Sequence, residues 1–385
     1  MIRFEAVTKR YDDGTVAVDA LDLEAPTGRI TTMVGPSGCG KTTSLRMVNR
    51  MIAPTGGRIM LDDRDTASVP AAQLRRGIGY VIQNAGLFPH RTIAENIATV
   101  PNLLGWSKAK SKARAMELLE RVGLPAAMAG RYPAQLSGGQ QQRVGVARAL
   151  AADPPVMLMD EPFSAVDPVV RLQLQDEFMR LQSELGKTIL FVTHDIDEAI
   201  KLGDRVVVLR VGGKLAQVGP PHEVLTNPTD DFVADFVGRD RGYRALGFAQ
   251  PANQLPTESE PTIEIGAPID SASPRADGWQ LVVDADGAPA GWLDITAEDP
   301  AGVVDQTRLR RSGTVAATTD SLRALLDAAL SSPSGRGVVV DEHRRVIGTV
   351  TGEVVLDAIN AARRPAAAAG AGPGAVAAPA EGAPR

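Results

Sequence analysis

The stretch Gly-Pro-Ser-Gly-Cys-Gly-Lys-Thr-Thr at residues 35–43 decides the fold of this chain. It fits the pattern GxxxxGK[ST] and directly follows a short apolar run, Ile30–Val34. Glycines let successive backbone N–H groups curve around a phosphate, and a helix N-terminus favours an anion. The sequence therefore predicts a nucleotide phosphate loop between a buried strand and a helix. Its predicted ligands are Gly35, Pro36, Ser37, Gly38, Cys39, Gly40, Lys41, Thr42 and Thr43.

Two acidic residues follow a second apolar run, VMLM at residues 156–159. Beside a phosphate loop, Lys41 is expected to reach the β- and γ-phosphates and the Thr42 hydroxyl to ligate Mg²⁺. Asp160 is then expected to hold the hydration shell of the Mg²⁺. Glu161, one residue further, is predicted to be the general base that polarises the attacking water.

Residues 1–240 alternate short apolar runs with amphipathic stretches, which predicts an α/β domain with a largely parallel sheet. The runs are continuous, as in strands that are buried on both faces. No such run occurs from about 88 to 152, and residues 107–122 have helical periodicity, so a helical subdomain is predicted there. The predicted strands are Ile30–Val34, Gly79–Ile82, Val156–Met159, Thr188–Thr193 and Arg205–Arg210.

The stretch Leu-Ser-Gly-Gly-Gln-Gln-Gln-Arg at residues 136–143 precedes a predicted helix. It resembles the signature sequence of ABC ATPases, and the resemblance covers residues 1–240 nearly end to end. The resemblance implies that two nucleotides are bound between two copies of the chain. One copy would contact the γ-phosphate held by the other through Ser137, Gly138, Gly139 and Gln140.

Further residues complete the resemblance to ABC ATPases. Gln83 matches the Q-loop glutamine, which contacts Mg²⁺ and couples to a membrane subunit. Asp167 matches the D-loop at the dimer interface, and His194 matches the switch histidine, which contacts the γ-phosphate and the attacking water. Tyr11 aligns with the aromatic residue that stacks on adenine. The cofactors implied are ATP and Mg²⁺.

Composition excludes several other classes of protein. The net charge of −5 gives no basic field for nucleic acid, and the single cysteine, Cys39, excludes an intrachain disulfide. No apolar run approaches the roughly 18 residues of a membrane helix. A role at a membrane would therefore depend on partners.

The last third of the chain differs in charge and pattern. From residue 251 onward there are 18 acidic and 11 basic residues. Residues 241–262 are predicted to be a linker, and residues 363–385, rich in Ala, Gly and Pro, a disordered tail. Two strand–turn–strand units, 279–294 and 336–351, resemble CBS modules, which predicts a small α+β regulatory or dimerisation domain over 263–362. Val354 and Ala297 stand where nucleoside-binding CBS modules often carry the ribose-binding Asp.

The phrase FVGRDRG at residues 236–242, together with the CBS-like region, resembles the quaternary-amine branch of ABC importers. That branch takes up glycine betaine, choline, carnitine and related osmoprotectants. The resemblance implies a homodimer bound to permease subunits at the cytoplasmic face of the membrane, served indirectly by an extracytoplasmic substrate-binding protein. The alternatives are an importer for an amino acid or polyamine, a non-transport ABC ATPase and another phosphate-loop enzyme such as a kinase.

Overall fold

A computed structural model describes residues 1–83, 85–164, 166–251, 255–299, 302–311 and 313–363. The chain divides into two compact units, one ending at Arg241 and the other beginning at Gly242. Each unit has its own sheets and its own hydrophobic clusters.

The first unit contains ten strands and ten helices among the described residues. The strands are β1 Ile2–Arg10, β2 Val16–Ala25, β3 Ile30–Val34, β4 Gly56–Leu61, β5 Arg64–Asp65, β6 Ile78–Val81, β7 Val156–Asp160, β8 Thr188–Val192, β9 Arg205–Arg210 and β10 Lys214–Gly219. The helices are α1 Lys41–Val48, α2 Ala71–Arg76, α3 Ile93–Ile97, α4 Thr99–Leu103, α5 Lys108–Arg121, α6 Gly138–Leu150, α7 Pro168–Leu185, α8 Ile196–Leu202, α9 Pro221–Thr226 and α10 Asp231–Val237.

A six-stranded sheet with the order β10-β9-β3-β8-β7-β6 forms the centre of the first unit. Every neighbouring pair is parallel except β10 with β9. All residues of β3, β7 and β8 are buried, because hydrophobic clusters cover both faces of this sheet. The five predicted strands are confirmed to within one residue at each end. The sheet places the ends of β3, β7 and β8 side by side.

A second sheet, β2-β1-β4-β5, is antiparallel throughout. No continuous apolar run in the sequence predicts this sheet. Its strands alternate buried and exposed positions, as in β2, where Leu21, Leu23 and Ala25 are buried and the residues between them face solvent. Helices α3 to α6 occupy the interval for which a helical subdomain is predicted, and no strand occurs in the described residues between β6 and β7.

The second unit is built mainly of two three-stranded sheets. The elements are α11 Arg241–Ala245, which begins at the boundary, β11 Thr262–Glu264, β12 Trp279–Val283, β13 Pro289–Asp294, β14 Ala316–Ala317, α12 Leu322–Ser331, β15 Arg336–Val340, β16 Val346–Thr351 and α13 Gly352–Arg363. The orders are β11-β12-β13 and β14-β15-β16, each with one parallel and one antiparallel pair. The predicted strand–turn–strand units are present.

The two sheets of the second unit are copies of one arrangement. Trp279 pairs with Asp294 in the first sheet, and Arg336 pairs with Thr351 in the second, so the registers coincide after a shift of 57 residues. The leading strands also correspond, since Ile263 pairs with Val282 as Ala316 pairs with Val339. The connection in the first copy is four residues shorter and contains a short 3₁₀ turn, Ile269–Ser271, in place of helix α12.

The segment that leads into each sheet crosses to the other sheet. Glu258, ahead of β11, exchanges two backbone hydrogen bonds of 2.9 Å with Thr349 in β16. Arg310, ahead of β14, exchanges two of 2.7 and 2.8 Å with Trp292 in β13. Both crossings require a glycine in the strand that is paired. A Cβ added to Gly348 would lie 2.6 Å from the carbonyl oxygen of Glu258, and a Cβ added to Gly291 would lie 2.7 Å from the carbonyl oxygen of Arg310.

The linker prediction for residues 241–262 is wrong for much of its length. Tyr243, Leu246, Ala249 and Leu255 pack against the cluster formed by α12, α13 and their sheet. Their apolar side chains are spaced through a stretch whose Pro, Gln and Ser content suggested a linker. The predicted disordered tail lies outside the described residues from 364 onward.

Candidate nucleotide and catalytic site

The phosphate loop lies between β3 and α1, as the sequence predicts. Two of its glycines are required by sterics. A Cβ added to Gly35 would lie 2.3 Å from the carbonyl oxygen of Leu209, and a Cβ added to Gly40 would lie 2.1 Å from the carbonyl oxygen of Ala17. Both residues have positive φ, 152° and 88°, which disfavours side chains further. The loop is thus wedged between β9 and β2.

Lys41 is the first residue of α1, and its side chain folds back under the loop. Its ammonium donates hydrogen bonds to the carbonyl oxygens of Gly35, at 2.8 Å, and Pro36, at 3.2 Å. Only 7% of the residue is exposed. The loop therefore carries a buried positive charge beside the N-terminus of a helix, and both features favour a bound phosphate. Cys39 is buried in the same loop.

The Thr42 hydroxyl meets the end of β7. It donates a hydrogen bond of 2.9 Å to Oδ1 of Asp160. Burial raises the pKa of the Asp160 carboxyl, and the hydrogen bond from Thr42 opposes that rise. Two oxygen donors of the kind that Mg²⁺ prefers therefore lie next to each other at the edge of the loop.

Glu161 and His194 follow adjacent parallel strands, β7 and β8. Oε2 of Glu161 lies 3.0 Å from Nδ1 of His194. The backbone of Glu161 is left-handed, with φ of 47°, and its N–H donates to the Val192 carbonyl oxygen at 2.9 Å. A left-handed non-glycine residue is costly, and such residues concentrate at functional sites. The side chain of His194 is 61% exposed.

Gln83 lies two residues beyond β6, the edge strand beside β7, and is exposed. The loop after it is held by Arg148 of α6, which donates hydrogen bonds of 2.6 Å to the carbonyl oxygens of Ala85 and Gly86. Burial lowers the pKa of Arg148. Sequence reasoning missed Arg148, because no local pattern reveals that it contacts a loop some sixty residues away.

Ser137 is the N-cap of α6. Its Oγ accepts from the Gln140 N–H at 3.3 Å, and the Gln140 side chain accepts from the Ser137 N–H at 3.0 Å, forming a capping box. Ser137 and Gly138 are exposed, whereas Gly139 packs close to Val170 of α7. The hydrogen bonds between Ser137 and Gln140 are thus local to the start of α6, and Ser137 and Gly138 face outward.

Two predicted residues lie at the ends of other elements. Tyr11 follows β1, is 39% exposed, and has the Lys9 ammonium 5.2 Å from its ring centroid. Asp167 is the N-cap of α7 and accepts a hydrogen bond of 2.9 Å from the Val169 N–H. The structure therefore brings together the phosphate loop, Asp160, Glu161 and His194, and places the other predicted residues on surrounding loops and at the N-terminus of α6.

A phosphate loop beside an acidic pair and a histidine defines a nucleotide-hydrolysing protein, and comparison identifies its family. The ABC transporter family matches residues 18–164. The chain is 43% identical over 373 residues to the glycine betaine/carnitine/choline transport ATP-binding protein OpuCA of Bacillus subtilis, covering 93% of this chain and 96% of that protein. It is also 43% identical over 377 residues to the osmoprotectant import ATP-binding protein OsmV of Salmonella typhimurium, covering 94% and 97%. The chain belongs to the ATP-binding subunits of ABC transporters and is an ATPase.

Solved structures agree with this assignment. The ATP-binding cassette MJ0796, in a dimeric post-hydrolysis state bound to ADP and Pi, is 34% identical with a TM-score of 0.52. It covers 57% of this chain, and 99% of MJ0796 is matched. In the described part of this chain, no helix is both long and apolar enough to cross a membrane.

Proposed function

We propose that this ATPase powers an importer for quaternary-amine osmoprotectants such as glycine betaine, choline or carnitine. The observation that carries the proposal is the near full-length similarity to OpuCA and OsmV, because it extends through the second unit. The two remaining alternatives are an importer for an amino acid or polyamine and a non-transport ABC ATPase.

In the proposed reaction, Lys41 and the loop amides bind the phosphates of ATP. Glu161 takes a proton from the attacking water, and His194, hydrogen-bonded to Glu161, contacts the same water and the γ-phosphate. The 3.0 Å contact between these two side chains supports their joint role. Tyr11, exposed beside β1, would stack on adenine.

Thr42 and Asp160 would hold Mg²⁺, with Gln83 completing the set from the neighbouring edge. The adjacent hydroxyl and carboxylate fit this ion, and the described residues contain no cluster of three or more His, Cys, Asp or Glu side chains that would favour a different metal. The ion would neutralise charge on the phosphate oxygens during transfer.

The active form is proposed to be a homodimer. Ser137, Gly138, Gly139 and Gln140 form the N-terminus of α6, where Ser137 and Gly138 are exposed, as expected of residues that bind the γ-phosphate of a second copy. Asp167 would lie at the same interface. The dimeric post-hydrolysis state of the cassette MJ0796 supports this arrangement. ATP would close the dimer, and hydrolysis would open it.

The dimer is proposed to act beneath permease subunits, peripheral to the cytoplasmic face of the membrane. A substrate-binding protein would deliver the solute to the permease. The second unit is proposed to be a degenerate CBS pair, because its second copy has the order strand, helix, strand, strand, helix. Val354 and Ala297 argue against a nucleoside bound through ribose.

Uptake measurements test the substrate class. In a host strain lacking other quaternary-amine transporters, the chromosomal copy would be replaced by Glu161→Gln and uptake of labelled solutes measured in hyperosmotic medium. We expect loss of glycine betaine, choline or carnitine uptake, with spermidine and glutamine uptake unchanged. The opposite pattern would favour the amino-acid or polyamine alternative. Unchanged uptake of every solute would favour a non-transport ATPase.

A further inference from the structure

Helix α7 begins at the D-loop and touches the loop that carries His194. Arg171 and Gln175 project from one face of this helix, since they are four residues apart. Arg171 donates through Nη2 to the carbonyl oxygen of Val166, in the D-loop, at 3.2 Å. Its Nη1 lies 3.8 Å from Oδ2 of Asp195. One guanidinium therefore contacts both the D-loop and the residue after His194.

Asp195 holds the backbone on both sides of that contact. Its Oδ1 accepts from the N–H groups of Asp197, at 2.9 Å, and Glu198, at 3.2 Å, and so caps α8. Its own N–H donates to the Thr193 hydroxyl at 3.0 Å. The backbone of His194 is consequently held between Thr193 and Asp195, whose hydrogen bonds restrict its movement.

A second contact runs parallel to the first. Nε2 of Gln175 donates a hydrogen bond of 3.0 Å to Oε1 of Glu198. Both side chains are almost fully buried. Burial raises the pKa of the Glu198 carboxyl, and hydrogen bonds from Thr193 and Gln175 oppose the rise. A polar contact inside the protein is costly to break, so it makes the joint between α7 and α8 stiff.

We propose that Arg171 is a positioning residue that transmits the placement of the D-loop to His194 within one copy of the chain. The inference rests on the proposed catalytic roles of Glu161 and His194 and on the D-loop lying at the dimer interface. A shift of Val166 when a second copy docks would move Arg171, then Asp195, and hence the imidazole. Hydrolysis would thereby depend on completed assembly, whereas ATP binding to the phosphate loop would not.

A double-mutant cycle on the full-length protein tests the inference. The variants are Arg171→Met, Asp195→Asn and the pair, with kcat of ATP hydrolysis and Kd for ATP measured separately. Asp195→Asn keeps the helix cap while removing the charge. Arg180→Met, an exposed position on the same helix, is the matched control. Arg171→Lys tests whether charge alone restores function.

We expect each single variant to lower kcat about tenfold, with Kd for ATP within about twofold of wild type. The double variant should be no slower than the slower single variant, and Arg171→Lys should recover part of kcat. The positioning role would be overturned if the fold-loss of kcat in the double variant equals the product of the two single losses. Wild-type kcat in Arg171→Met would also overturn it. Thermal melts establish whether each variant is folded. If Arg171→Met is unfolded, kcat of Asp195→Asn and Asp195→Ala tests the contact between Arg171 and Asp195 from its other side.

Failure of the catalytic roles proposed for Glu161 and His194 can be distinguished from failure of the positioning role of Arg171. Glu161→Gln and His194→Ala are assayed in parallel, and wild-type turnover in both would refute the proposed reaction. If both lose turnover while Arg171→Met does not, only the positioning role fails.

Discussion

Nδ1 of His194 lies 3.0 Å from Oε2 of Glu161, although the two residues are 33 positions apart. The contact arises because β7 and β8 are parallel neighbours with Asp160 in register with Val192, so the residues that follow each strand meet. The carboxyl ends of buried parallel strands thus assemble the proposed catalytic pair from separate stretches of sequence.

The first prediction concerns the base of this pair. Glu161→Gln preserves the size of the side chain but removes the carboxylate, so hydrolysis should fall by about 100-fold or more. ATP affinity should stay near wild type, because Lys41 and the loop are untouched. Light scattering after gel filtration should detect dimer accumulating with ATP. Turnover equal to wild type would refute Glu161 as the base.

The second prediction concerns loop sterics. Gly40→Ala places a Cβ 2.1 Å from the Ala17 carbonyl oxygen at a positive φ, and should lower the free energy of unfolding by about 3 kcal/mol. Gly38→Ala is the matched control, because its φ is also positive but nothing lies within 4 Å. It should cost about 1 kcal/mol. Equal losses in urea unfolding would show that the clash is relieved.

The third prediction concerns pH. Burial raises the folded-state pKa of Glu198, so folding favours its protonated form. This contribution to stability is full below the ordinary glutamate value of 4.5 and is lost as pH rises through the folded pKa. Glu198→Gln should therefore gain in melting temperature relative to wild type as the pH rises from 4 to 8. A constant difference across that range would contradict the assignment.

The fourth prediction concerns a buried ion pair in the second unit. Arg336 donates from Nε and Nη2 to the two oxygens of Glu260, both at 3.1 Å, and the Glu260 side chain is only 1% exposed. Arg336→Met should destabilise the unit by about 3 kcal/mol, because a buried carboxylate loses its bidentate partner.

Two further variants interpret that result. Arg345→Met changes an exposed arginine of the adjoining turn and should shift the melting temperature little. Adding Glu260→Gln to Arg336→Met should restore part of the loss, because it removes a buried charge that then has only Arg275, 3.1 Å away, as an ionic partner. No recovery would indicate that packing of Arg336 against Trp292, 5.0 Å from guanidinium carbon to ring centroid, dominates.

Local sequence patterns predicted the buried strands and the loop between β3 and α1, because both are encoded in contiguous residues. The sheet containing β1 and β2 was missed, since its strands alternate polar and apolar residues and lack the continuous apolar runs that marked the buried strands. The packing of Tyr243 and Leu246 was missed because their composition resembles that of a linker, and only distant partners on α12 reveal the cluster.

The site divides in the same way. Lys41, Thr42, Asp160, Glu161 and His194 could be predicted, because each stands at a fixed offset from a buried run. Arg148, Arg171 and Glu198 could not, because their partners are set by how helices pack rather than by spacing.

The crossed segments at Glu258 and Arg310 bear on how the second unit could be shortened. The edge strand of each sheet pairs with the segment that precedes the other sheet. A fragment cut between the two copies would therefore lose this pairing at its edge strand. The segment that precedes its own sheet would also have no strand to pair with. The duplication is therefore interlocked, and we expect soluble fragments to begin ahead of residue 258 and to include both copies. Loss of either copy during evolution would leave the edge strand of the remaining sheet without its pairing segment.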